Sequence, residues 1–263
     1  MMRRREIISL IGGAVTWPFA VHAQQPAMPV IGFLRSTPAE PFTHVVTAFR
    51  EGLKEQAFIE GTNVAIEYRF ADNHLERLPG LAADLVRRRV AVIVGNSLAA
   101  EAAKAATTTI PIVFVTGDDP VTRGLVTSLS RPGGNVTGLT FFGGGKLGAK
   151  RLELLHELVP NTTTFAVLQD PNWPGSAAEL PDIEAAARAL GLQIVVVKAA
   201  SESEFESAIA TIIRSGAGAL VVSGSPFFTS QRRALGAFVA RTRLPAIYDL
   251  RDHVEAGHYR RLS

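Results

Sequence analysis

The sequence contains no cysteine. That absence excludes disulfide bonds, thiolate nucleophiles, iron–sulfur clusters and cysteine-ligated zinc, and with them a lipid anchor on a processed N-terminal cysteine. The six histidines are dispersed, with no His-Glu-x-x-His or His-x-His spacing that would gather a metal. Neither a metal nor a cofactor is expected. Phosphate-cradling signatures are missing as well. Gly143-Gly-Gly-Lys146 superficially resembles a P-loop, but Leu147 stands where Ser or Thr is required and the spacing is wrong. No G-x-G-x-x-G follows the first apolar strand, and Gly32 lies inside it. Beyond the N-terminal leader no stretch is long and apolar enough to span a bilayer. Lys and Arg outnumber Asp and Glu by 27 to 24, and the pI is about 9.5, yet no aromatic-interleaved basic stripe goes with that charge. Arg87-Arg88-Arg89 ends a helical pattern, where cations meet the carbonyl end of a helix, and Arg260-Arg261 lie at the extreme end. Nucleic acid is therefore not an expected partner.

The chain opens with a targeting pattern. Arg3-Arg4-Arg5 gives a positive n-region, Ile7 to Ala20 an apolar run, and Val21-His22-Ala23 a small-x-small cleavage site. This predicts residues 1–23 as a signal peptide and export to the periplasm. Arg4-Arg5-Glu6-Ile7-Ile8 also fits a loose twin-arginine pattern.

From Pro29 onward, apolar runs of strand length alternate with helix-period segments. Strands are predicted at 29–34, 64–70, 90–94, 112–115 and 136–140, with helices at 41–57, 75–88, 98–107 and from Val121 through Leu129. The fifth strand looks like one that leaves this unit. The pattern then restarts. Lys146–Val159 reads as a helix with a stripe of Leu147, Leu154, Leu155 and Leu158. A strand at 164–168, a helix at 177–190 ended by Gly191, and a strand at 192–197 follow. A helix at 202–214 opens with a Ser201–Glu204 capping box, and then come a strand at 219–222, a helix at 229–241 and a strand at 245–248. Such alternation means parallel sheets flanked by helices. The reading is α/β, with two Rossmann-like lobes at about 24–140 and 141–263.

One local theme recurs. Ser36-Thr37, Asn96-Ser97, Asp118-Asp119, Asp170 with Asn172, Ser223 with Ser225, and Tyr248-Asp249 all fall just after predicted strands. Each alone is explained by turn and cap chemistry. Together they would line both walls of a cleft between two sheets, since ligands of open α/β sheets sit outside the carboxyl ends of the strands. The Asp118-Asp119 pair either caps the next helix or holds a cationic group. An enzymatic alternative is also legible. Gly95-Asn96-Ser97-Leu98-Ala99 sits between a strand and a helix, close to a nucleophile elbow. A serine hydrolase would then use Ser97 with His253 or His258, although Ala99 replaces the final glycine and no histidine-glycine oxyanion segment precedes it.

Several segments together resemble one family: Pro29-Val-Ile-Gly-Phe-Leu, Ala82-Ala-Asp-Leu-Val, the run from Lys104 to Val115, Gly117-Asp-Asp-Pro-Val, Arg131-Pro-Gly-Gly-Asn-Val-Thr-Gly, Ala149-Lys-Arg-Leu-Glu-Leu-Leu and Leu244-Pro-Ala-Ile-Tyr. The chain is similar to substrate-binding proteins of ABC transporters related to the tryptophan/tyrosine uptake component, with a periplasmic-binding-protein type I fold. The resemblance implies a non-enzymatic, two-lobed receptor that closes on a small ligand, such as an aromatic amino acid, and delivers it to an inner-membrane ABC permease. By position it implies a pocket of Ser36, Thr37, Asn96, Ser97, Asp118 and Asp119 from the first lobe and Thr140, Asn172, Ser225 and Tyr248 from the second. The family pattern continues past Ala256-Gly257, whereas this sequence turns into His258-Tyr-Arg-Arg-Leu-Ser263. The expectation is that a return crossing to the first lobe and its edge elements are missing.

Overall fold

The computed structural model describes residues 28–141 and 147–258. The predicted leader, the P-loop-like Gly143–Lys146 and the last five residues lie outside them. Among the described residues no helix is long and apolar enough to cross a membrane.

Two all-parallel sheets organise the chain. The first has the order β2-β1-β3-β4-β5, from β1 (Val30–Arg35), β2 (Ala65–Phe70), β3 (Val92–Asn96), β4 (Ile112–Thr116) and β5 (Val136–Thr140). The second has the order β7-β6-β8-β9, from β6 (Thr164–Gln169), β7 (Gln193–Lys198), β8 (Ala219–Val222) and β9 (Ala246–Ile247). In each, the first strand lies inside and the order reverses beside it, between β1 and β3 and between β6 and β8. The helices after those strands leave toward opposite faces, so a crevice opens there at the carboxyl ends. The α/β two-sheet architecture read from the sequence is the one observed.

The helices are α1 (Thr43–Glu55), α2 (Leu78–Arg87), α3 (Ser97–Ala106), α4 (Leu147–Leu158), α5 (Pro174–Leu190), α6 (Phe205–Arg214), α7 (Pro226–Ser230), α8 (Arg232–Thr242) and the single turn α9 (Arg251–His253). Strand parity decides the packing. In the second sheet Ala166, Leu168, Leu220 and Val222 face a core built with Phe205, Ile209 and Leu235. Phe165, Val167, Ala219 and Val221 face another built with Leu152, Leu155 and Ile183. Each valine, leucine, isoleucine or phenylalanine buried this way contributes roughly 1.5–3 kcal/mol over exposure. In the first sheet Leu34, Ile93, Ile112, Phe114 and Val136 pack with Leu85 and Ala99 of α2 and α3. Among the described residues the opposite face is covered where Phe33 meets Phe49 of α1, at 5.2 Å between ring centroids. Toward β5 it is bare: the paired residues Val115 and Leu139 are 45% and 69% exposed.

Four sequence expectations are corrected. No helix forms between Val121 and Leu129. The chain makes one turn, then Gly124 takes φ +67°, with Leu125 N–H bonded to Pro120 C=O and Gly124 N–H to Val121 C=O. This is a Schellman stop one turn after the start. The fifth strand stays in the first sheet, parallel to β4 at the edge. On α4 the buried residues are Gly148, Arg151, Leu152 and Leu155, while Leu147, Leu154 and Leu158 are exposed. Segments 202–214 and 229–241 each break into two helices. Glu204 reaches back as a capping-box residue does, but it accepts from Ala200 N–H and from the Ser201 hydroxyl. The Gly191 C-cap is left-handed as read, with φ 70°.

Candidate functional site

Both crevices are bridged by side chains that grow directly from the strand ends. In the first sheet Ser36 follows β1 and Asn96 ends β3. Ser36 N–H donates to Asn96 Oδ1 at 3.1 Å, and Asn96 Nδ2 donates to Ser36 Oγ at 2.7 Å. One strand further, the hydroxyls of Ser97 and Thr116 share a hydrogen bond of 2.5 Å, and Thr37 accepts from Arg35 Nε at 3.3 Å. All of these except Arg35 are buried. In the second sheet Ser225 donates to Asp170 Oδ2 at 2.8 Å, while Asp170 Oδ1 accepts from Asn172 N–H at 2.9 Å. Ser225 also N-caps α7 by accepting from Phe228 N–H. Burial raises the Asp170 pKa, against these hydrogen bonds, which pull it down.

The two crevices face each other. Ser36, Asn73, Leu75 and Leu98 from the first sheet's side meet Asp170, Asn172, Trp173, Ala200, Pro226 and Phe227 from the second. The space between them is about 30 Å³, room for one or two waters, whereas small-molecule sites usually span roughly 300–1,000 Å³. The lobes are drawn together. On one flank Asn73 Nδ2 donates to Ser230 Oγ at 3.0 Å, Arg232 Nη2 to Pro41 C=O at 3.3 Å, and His44 lies 3.6 Å from Asp252.

On the other flank Asp118 approaches the first turn of α5. A Cβ on Gly175 would lie 2.5 Å from Asp118 Oδ1 and 2.4 Å from Trp173 Nε1, so glycine permits the approach. The Arg123 guanidinium covers the Trp173 ring at 5.1 Å and pairs with Glu101 at 2.5 Å. Burial pushes the Asp118 carboxyl up to about 6, opposed by Arg123 at 3.8 Å and reinforced by Glu101. Asp118 Oδ2 has no hydrogen-bond partner.

The structure divides the candidate residues. Ser36 and Asn172 line the space, and Asn96, Ser97, Thr37 and Ser225 brace the strand ends behind it. Asp118 and Asp119 separate completely. Asp119 accepts from Val121 N–H and the Thr122 hydroxyl, which lower its pKa, so it closes the local turn. Thr140 donates to Asp118 C=O at 3.0 Å. Tyr248 packs on the second-lobe core and stacks on His253, 4.9 Å between rings, where burial pushes its pKa up to about 12. It does not line the space. Ser97 meets Thr116 rather than a base, and His253 lies beside Asp249 in the other lobe, 3.7 Å from it. Among the described residues the elbow lacks the geometry of a hydrolase; the His258 side chain lies outside them. Asn73, Arg123, Trp173 and Phe227 were outside the candidate set. Only the position of Trp173, in the loop leaving a strand, marked it in the sequence.

Two parallel sheets whose strand ends face one another across a crevice define a two-lobed α/β architecture. A family profile described as ABC transporter substrate binding protein matches residues 36–259, and the chain belongs to that family. It is similar to the Tyrosine-binding protein of Clostridioides difficile (strain R20291), 29% identical over 167 residues, which are 63% of this chain and 47% of that protein. The match thus spans about half the length of that relative. Among solved structures, a conserved domain protein from Vibrio cholerae superposes with a TM-score of 0.79 at 24% identity, over 88% of this chain and 77% of the other. An ABC domain in complex with L-Trp from Streptococcus pneumonia gives 0.76 at 23% identity, over 87% and 76%. At those identities the likeness is one of fold.

Proposed function

We propose that this chain is the solute receptor of an ABC importer, taking a small amino-acid-like ligand between lobes of about residues 24–140 and 141–263. The carrying observation is the pair of crevices facing each other at the strand-order reversals, edged by Ser36 and Asn96 on one side and by Asp170, Asn172 and Ser225 on the other. Ser36, Asn73, Asp170 and Asn172 offer hydrogen bonds among the apolar lining residues, and among the described residues the serine at the elbow has no base beside it. That inventory fits binding and release better than bond breaking. The named ligands of two relatives, tyrosine and L-Trp, point to aromatic amino acids, and Trp173 and Phe227 offer apolar surface for a ring. Export through the leader at residues 1–23 would place the receptor outside the cytoplasmic membrane, where a permease would accept the solute.

The test is thermal unfolding of the purified chain against a panel of amino acids and small aromatic metabolites. A ligand at one hundred times its Kd stabilises by about 2.7 kcal/mol, an upward Tm shift of several degrees. A folded protein whose Tm stays put across the panel would sink the proposal.

A further inference from the structure

We propose that Asp118 works as a proton-operated catch on the crevice: while its carboxyl is neutral the two lobes rest together, and when it ionises that flank loosens. The inference goes beyond the receptor reading. Its experiment uses no solute, so its failure leaves that reading standing.

Asp118 lies just past β4 and meets the start of α5 from the other lobe, where a Cβ on Gly175 would lie 2.5 Å from its Oδ1. Its side chain is 16% exposed, and its Oδ2 is buried without a hydrogen-bond partner. Among the described residues the cation that faces it is Arg123, whose Nε is 3.8 Å from Oδ2. That guanidinium already pairs with Glu101 of α3 at 2.5 Å and covers Trp173 of the other lobe. One arginine therefore serves two carboxylates. The remaining charges nearby are turned away. Asp119 accepts from Val121 N–H and the Thr122 hydroxyl, Lys104 of α3 donates to the carbonyls of Gly124 and Leu125, and Glu179 of α5 is held by Arg151. From β5, Thr140 donates to the backbone carbonyl of Asp118 and not to its carboxylate. The first turn of α5, Pro174-Gly-Ser-Ala177, brings no charged side chain. Its helix dipole favours an anion, an attraction that only partly offsets burial while Oδ2 lacks a donor.

Parting the lobes returns the carboxyl to water, where ionisation carries no such cost. The closed state therefore holds the proton more tightly than the open one, in keeping with a carboxyl pushed up from 3.8 to about 6. With the closed-state value raised, the hold is full below about pH 4 and is lost as the pH rises through about 6.

Trp173 reports on the catch. It is 6% exposed, and Trp17→Phe leaves it the sole tryptophan of the chain. Acrylamide quenching of its fluorescence is followed without solute as pH is raised. Quenching should climb through about pH 6, as the open-to-closed ratio grows about tenfold between pH 5 and pH 7.5. With Asp118→Asn added, quenching should stay low and level over the same range. Glu101→Gln, which removes the second carboxylate from Arg123, should keep the climb but move its midpoint to lower pH. Level quenching in the chain carrying Trp17→Phe alone overturns the inference whether or not the further variants fold. A climb that persists with Asp118→Asn belongs to another group, such as His44 beside Asp252 on the opposite flank, and overturns it too. So does a Glu101→Gln midpoint that stays in place.

Discussion

The two lobes solve one architectural problem with different chemistry. At its strand-order reversal the first lobe ties Ser36 to Asn96 through two neutral hydrogen bonds. The second uses a buried carboxylate, Asp170, held by Ser225 and a backbone N–H. The neutral tie holds its strength at any ordinary pH, whereas the carboxylate is strained toward protonation by its surroundings. Packing differs in the same sense. Among the described residues the second sheet is covered on both faces, while the first is covered on one and half covered on the other. The crevice wall is thus stiffened locally by polar ties in the first lobe and globally by its core in the second.

The largest expected effect probes the core. Phe165→Ala, at a fully buried ring inside the second sheet, should cost about 3–5 kcal/mol. Phe49→Ala, on the partly covered face of the first, should cost about 1 kcal/mol. Equal losses in urea unfolding would erase the contrast in packing. Next comes the neutral tie: Asn96→Ala leaves the buried Ser36 N–H without its acceptor and should cost roughly 1–3 kcal/mol, with the same loss at pH 5 and pH 8. A loss that changes with pH would show that the tie is not insulated from charge.

A smaller effect concerns Asp118, the first-lobe carboxylate that faces the second lobe. Its pKa of about 6 when folded lies above the ordinary value of 3.8, so the folded state holds the proton more tightly. Stability from this group is full below about pH 4, falls as pH rises toward 6, and then levels. Asp118→Asn should therefore gain on the wild type across that window, read as a Tm difference that grows from pH 4 to 6 and stays flat to pH 8. The smallest effect is at Leu139→Ser on the bare face, within about 0.5 kcal/mol of no change. A loss of more than about 1 kcal/mol would mean that the face is covered in solution.

The strands were legible because parallel-sheet strands are short, apolar and β-branched, and the strand ends announced their polar residues. What stayed hidden was set by tertiary contact or by one backbone angle. A helix was expected from Val121 through Leu129, but Gly124 at positive φ stopped it after one turn. The leucines of α4 looked like a stripe toward the core, yet helix rotation put Leu152 inside and Leu158 outside. Asp118 and Asp119 are the same residue side by side, and only the fold shows that one closes a turn while the other faces α5. Asn73 and Arg123 carry no signal of their own, because their roles arise where two distant parts of the chain meet.

The water-sized space between the crevices has a kinetic consequence. If the proposed receptor role holds, a tryptophan-sized solute reaches Ser36 or Asn172 only after the lobes part, and capture is gated by a conformational step that precedes contact. In stopped-flow mixing the observed rate should then converge on the opening rate at high solute concentration, falling toward it when binding to the open form is fast. The residues along the two flanks, Asn73 with Ser230 and Asp118 beside Gly175, would then act as the clock of uptake, setting how often the receptor samples its surroundings rather than how tightly it holds what it finds.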